Sequence, residues 1–179
     1  MASLAFAKSP FKKSAKKSAS PIVNGQIVTS PAVFPYQVLI TGPDGGGTIV
    51  SKRWVLTAAH VAILNSNMQL YAGVIDRNNL AAGQNRTLKQ YRNHPNFANG
   101  AGPGGTAGSP ANDVALIEVT TPFVYGTNVT DVKLASDNNQ SLWNVGQTPT
   151  VTGFGRTAAG SSLSNELRQV NVQVTSINN

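Results

Sequence analysis

The 179-residue, 18.7 kDa chain is long enough for one ordinary domain, or for one domain and part of another. It is 40% hydrophobic and only 12% charged, with no cysteine, which excludes a disordered or coiled-coil protein, disulfides and thiolate metal ligands. Lys and Arg outnumber Asp and Glu by 14 to 7, but Lys8, Lys12, Lys13, Lys16 and Lys17 all lie in the leader, so the remaining body is nearly neutral and no nucleic-acid partner is expected.

Residues 1–21 are a Lys/Ser/Ala leader, read as a solvated and disordered tail. Leu4-Ala5-Phe6-Ala7 is too short for the apolar core of a secretory signal, and Lys8 ends it. Phe34 to Ile40 then reads as a strand entered through Pro35, and Pro43-Asp44-Gly45-Gly46-Gly47 as the tight turn after it. Thr48-Ile49-Val50 and Trp54-Val55-Leu56-Thr57 form a hairpin-like pair around the polar Ser51-Lys52-Arg53. Further strands are expected over Gln69 to Val74, Thr87 to Tyr91 and Val114 to Val119, with a flexible surface loop, ANGAGPGGTAGSP, from Ala98 to Pro110. Short strands at this spacing predict an antiparallel barrel or sandwich.

No internal repeat occurs, and no run of 18 apolar residues, so no membrane span is expected. The two histidines and scattered acids supply no metal-ligand spacing, so neither metal nor cofactor is expected. The sequons at Asn85, Asn128 and Asn139 are no more than the Asn and Ser/Thr content supplies by chance.

The stretch with the most chemical content is Arg53 to Val61, RWVLTAAHV, which ends a strand on His60. A lone histidine in that place is ordinarily structural. Here Trp54 to His60 resembles the segment around the general-base histidine of trypsin- and chymotrypsin-like serine endopeptidases, and other landmarks follow in order. Ile22-Val23-Asn24-Gly25 resembles that family's mature amino terminus, Phe34 to Val38 its first barrel strand, and Gly46 to Val50 its Gly-Gly-Ser-Leu-Ile segment. His94-Pro95-Asn96-Phe97 is similar to its His-Pro-Asn turn, and Asn112-Asp113-Val114-Ala115-Leu116 to its triad-aspartate motif. Val151 to Arg156 is similar to its Gly-Trp-Gly strand, and Ser164 to Val170 to the Leu-Arg-Gln-Val strand that follows.

The resemblance implies an all-β, Greek-key antiparallel barrel of the trypsin-like type, first barrel complete over residues 22–140 and a second only begun over 141–179. It implies His60 as general base, Asp113 as the carboxylate that orients it, and Ile22 as the terminus freed on activation. His94, beside Pro95 in a turn, is read as structural. The family further implies a protein or peptide substrate and an extracellular setting.

The sequence departs from the family in three places. A disulfide commonly bridges the histidine loop in the family; the corresponding positions are Gly45 and Val61, so both partners are missing together and apolar packing by Val61 is expected instead. Pro21, not Arg or Lys, precedes Ile22. The Gly-Asp-Ser-Gly-Gly motif that carries the nucleophile does not occur, and Ser161, Ser162, Ser164 and Ser176 lack the tight glycine turn that exposes one. The expectation is therefore a serine endopeptidase represented by its base and orienting acid without a nucleophile, inactive alone. The alternatives are a non-catalytic homologue that binds a protein partner, and, weakest, an adaptor using the basic leader.

Overall fold

The computed structural model describes residue 22 and residues 25–63, 67–98, 111–158 and 160–175. The leader, Val23, Asn24, Ser176 and all but the first residue of the glycine-rich loop lie outside the described residues. The protein is mostly β, with a closed six-stranded antiparallel barrel and a separate three-stranded sheet.

The barrel strands are β2 (Gln37–Thr41), β3 (Gly45–Ser51), β4 (Trp54–Thr57), β5 (Gln69–Ala72), β6 (Gln84–Asn93) and β7 (Ala115–Val119). They run in the order β2-β3-β4-β7-β6-β5, and β5 pairs back onto β2 to close the sheet, which leaves no open edge. Alternation explains the core. In β4 and β5 every second residue is buried, Val55, Thr57, Leu70 and Ala72, as a strand with one face inward requires. β2 is instead buried over four successive residues, Gln37 to Ile40, because both its faces are covered. Val38 and Ile40 join the barrel core with Ile49, Val55, Val61, Leu70 and Ile117, while Leu39 points the other way into a second cluster with Val28, Val74, Phe154 and Leu167.

Val28, Phe154 and Leu167 of that second cluster each directly adjoin a strand of the three-stranded sheet, whose order is β1 (Gln26–Ile27), β9 (Arg168–Asn171), β8 (Thr150–Gly153). The β8 and β9 positions match the strands expected there. β1 was not expected, since two residues carry no periodicity and its existence depends on pairing Gln26 with Gln169. A buried polar contact ties the sheet to the barrel: the Thr152 hydroxyl donates to Gln37 Oε1 at 2.6 Å, and Gln37 Nε2 donates to the Val38 carbonyl.

The first turn is shorter than the sequence suggested. Only Gly42, Pro43 and Asp44 connect β2 to β3, with Gly42 at φ 97° and Asp44 at φ 54°, and Gly45 to Gly47 already belong to β3. These glycines serve close approach rather than the bend. A Cβ on Gly45 would lie 2.5 Å from Val61 Cγ1, and one on Gly47 would lie 2.5 Å from Val55 Cγ1.

On β7, Glu118 accepts from the Lys89 ammonium at 2.8 Å and from the Gln90 amide, where a register shift in β6 brings both residues against one partner. The Lys89 bond first, then that of Gln90, holds the Glu118 carboxyl below its ordinary value of 4.5. Because the folded state favours the carboxylate, its contribution is complete above the unfolded carboxyl's range and fades as pH falls through the lower folded value. Glu118→Gln is therefore expected to lower the urea midpoint most near neutral pH, with the gap to the parent closing below about pH 4.5. A gap that stays constant across that range would refute the linkage.

Candidate active site

His60 lies on α1 (Ala59–Ala62), a single helical turn that begins one residue after β4. Val61 and Ala62 both donate backbone N–H groups to the Ala58 carbonyl, and Ala59, Val61 and Ala62 are all buried. With three of its four side chains facing the core, the turn presents His60 outward, its side chain 32% exposed. Thr57 secures the strand before it, its buried hydroxyl donating to the Gly46 carbonyl at 2.7 Å.

The register of two strands brings Asp113 to the histidine from 53 positions away. β4 and β7 are antiparallel, with Thr57 opposite Ala115. The chain two residues before Ala115 therefore meets the chain two residues after Thr57, which sets Asp113 beside Ala59 and His60. Both carboxylate oxygens are used. Oδ2 lies 2.6 Å from His60 Nδ1, and Oδ1 accepts the His60 backbone N–H at 2.9 Å. A carboxylate at Nδ1 holds the proton on that nitrogen, because the acid accepts and does not donate, and Nε2 is then the imidazole's basic nitrogen. The two-point grip fixes both ring plane and backbone, in a setting where the Asp113 side chain is 24% exposed.

The remaining residues singled out by sequence sit elsewhere. Ile22 is 3% exposed, and its carbonyl accepts from the Gly25 N–H at 3.2 Å. His94 lies on the turn after β6, where its Nδ1 accepts the Asn96 N–H at 3.2 Å. Ser161 and Ser164 are occupied in holding a loop. The Ser161 hydroxyl accepts from the Thr157 and Ala158 N–H groups, and the Ser164 hydroxyl donates to the Glu166 carbonyl while accepting from Arg168 Nε. With Asp76, Asn78, Glu166 and Arg168, these serines line a polar cavity of about 410 Å³.

Among the described residues, no cluster of three or more His, Cys, Asp or Glu could hold a metal ion, and no helix is long and apolar enough to cross a membrane. Asn112, just before Asp113, donates its side-chain amide to the Asn96 carbonyl at 2.9 Å, a contact not visible in the sequence beyond the residue's place in the matched motif.

Comparison with known proteins places these features in context. A family described as Trypsin matches residues 22–179. The calcium-dependent serine proteinase of Mesocricetus auratus is 32% identical over 146 residues, covering 80% of this chain and 21% of that protein. The complement C1s subcomponent of Sus scrofa is 31% identical over 135 residues, 74% of this chain and 19% of its own length. Trypsin delta of Drosophila erecta is 27% identical, with 87% of this chain and 60% of that protein aligned. Among solved structures, neuropsin, a serine protease expressed in the limbic system of mouse brain, superposes with a TM-score of 0.72 at 26% identity, over 87% of this chain and 66% of neuropsin. The chain thus spans about a fifth of the length of the C1s relative and 60% of the trypsin.

Proposed function

The chain belongs to the trypsin family, and on that premise we propose that it supplies the general base and the orienting carboxylate of a serine-type endopeptidase acting on protein or peptide substrates. The observation that carries the proposal is the two-point contact of Asp113 on His60, at 2.6 Å to Nδ1 and 2.9 Å to the backbone N–H. A serine hydroxyl is a poor nucleophile at neutral pH, so it attacks a peptide carbonyl only as a neighbouring base takes its proton. Here His60 Nε2 takes that proton, the Asp113 carboxylate stabilises the resulting imidazolium, and His60 returns the proton to the departing amine.

In this reading residues 22–140 form the first barrel module, 141–179 open the second, and 1–21 form a leader. The attacking serine comes from polypeptide other than these 179 residues. Leu142, Val145 and Val172, which flank the β8–β9 hairpin in sequence, are exposed apolar side chains and favour further polypeptide packing near that hairpin. Ile22 is the residue whose amino group activation would free, and because Pro21 precedes it, an activator cutting after Lys or Arg would leave Ser18 to Pro21 attached. The family favours an extracellular setting.

A second reading, a non-catalytic homologue that binds a protein partner, is favoured by the absent Gly-Asp-Ser-Gly-Gly motif and by the commitment of Ser161 and Ser164 to loop hydrogen bonds. A serine-directed fluorophosphonate separates the two. The 179-residue chain alone is expected to stay unlabelled, whereas a form that also contains the Gly-Asp-Ser-Gly-Gly segment is expected to label there, and to stop labelling in His60→Ala. Label on a serine within the 179 residues would overturn the assignment, and an unreactive longer form would favour the binding reading.

A further inference from the structure

The loop before Asp113 is held by an arrangement that the pairing with His60 does not itself explain. Asn112 has a left-handed backbone, φ 52°, a conformation that Asn tolerates better than most side chains. Its carbonyl accepts the Val114 N–H at 2.8 Å, closing a three-residue turn with Asp113 at the centre. Its side-chain amide donates to the Asn96 carbonyl at 2.9 Å, and the acceptor being a carbonyl requires the nitrogen on that side. The Asn96 carbonyl is in turn set by His94, whose Nδ1 accepts the Asn96 N–H at 3.2 Å and whose own carbonyl accepts from Phe97 at 2.9 Å. His94 N–H donates to the Val114 carbonyl at 2.9 Å, and Ala98 and Ala111 exchange backbone bonds at 3.1 Å.

We propose that Asn112 is a positioning residue for Asp113, anchored on a turn that His94 closes, and that this relay sets the angle at which the carboxylate meets His60. The inference rests on the reading of Asp113 and His60 as an orienting acid and its base. A carboxylate that must meet a ring nitrogen and a backbone N–H at once needs its own Cα fixed, yet Asp113 precedes β7 and has no strand partner of its own. The Asn112 amide bond, on the side of Asp113 away from β7, supplies the anchor that the ladder supplies to Ala115. His94 transfers no proton in this scheme; its Nδ1 acceptor replaces the side-chain oxygen that Asn or Asp uses in turns of this kind.

The test is proton NMR of the 179-residue chain, following the His60 Nδ1–H resonance, which is simple to assign because only two histidines exist. Asn112→Gly keeps the left-handed backbone while deleting the amide. It is expected to move the resonance upfield and to speed its exchange with water roughly three- to tenfold, the scale set by losing one hydrogen bond. His94→Ala should act in the same direction from the far end of the relay, and His94→Asn, which returns an acceptor at the Nδ1 position, should restore parental behaviour. Asp113→Asn is the reference and should abolish the parental resonance. If Asp113→Asn changes the signal while Asn112→Gly and His94→Ala leave its position and exchange unaltered, the positioning role is wrong. If Asp113→Asn also changes nothing, the pairing beneath it is wrong.

Discussion

If the proposed function holds, Asp113→Asn in a longer form that also contains a Gly-Asp-Ser-Gly-Gly segment is expected to lower kcat by about four orders of magnitude, the scale such losses reach in Ser-His-Asp enzymes. The expectation follows from what the substitution does to one proton. With a carboxylate 2.6 Å from His60 Nδ1, the ring must carry its hydrogen there and leave Nε2 basic. An asparagine that keeps its oxygen on the His60 backbone N–H turns its NH₂ toward Nδ1, which must then accept, so the proton moves to Nε2 and the base is lost. The loss should fall on kcat with KM nearly unchanged, because Asp113 bonds His60 and not the substrate. Steady-state kinetics on a peptide ester and a peptide amide would check it. A loss under about tenfold would mean that the carboxylate does not set the tautomer.

The pairing behind that prediction was legible in the sequence, though by different routes for its two members. His60 follows the strand that Trp54 to Thr57 announces, so its place at the end of β4 could be read locally. Asp113 could be linked to it only through the matched motif, because the link is the antiparallel register of β4 with β7, which spans more than 50 residues. The barrel itself was legible because its strands are short, alternating and bounded by turn residues. What escaped the reading was set by partners distant in sequence. β1 exists because Gln26 and Ile27 meet Gln169 and Arg168. Gly45 to Gly47 looked like turn residues, yet they are strand residues, and the missing side chains of Gly45 and Gly47 make room for Val61 and Val55. Asn112 stood in the matched aspartate motif, but the bond from its amide to the Asn96 carbonyl could not be read there. Local pattern reports periodicity and breakers; it does not report which neighbour across a barrel needs the space.

Replacing both Gly45 and Val61 by cysteine is expected to restore a covalent tie where the structure now uses shape. A Cβ built on Gly45 lies 3.4 Å from Val61 Cβ, at the short end of the separation a disulfide needs, about 3.5–4.5 Å. The two positions therefore form a matched pair, a vacancy at Gly45 filled by the Val61 methyls, which would lie 2.5 and 3.1 Å from any added Cβ. Each half of the change should be costly alone. Gly45→Cys crowds an intact Val61 and is expected to cost about 1–3 kcal/mol. Val61→Cys removes a methyl from a core position only 1% exposed and is expected to cost about 1 kcal/mol. Under reducing conditions the double variant should recover part of that sum, since the two sites share one volume. Oxidation should then add about 3 kcal/mol for a loop of this length, or about 6–12 °C in Tm. The chain has no other cysteine, so loss of both thiols to a thiol reagent reports this bridge alone. Because the bridge would bind β3 to the turn that carries His60, the His60 Nδ1–H resonance should survive oxidation unchanged. Two thiols still free under oxidising conditions would show that Gly45 and Val61 do not meet in solution, and with them would go the packing that seats α1 against β3.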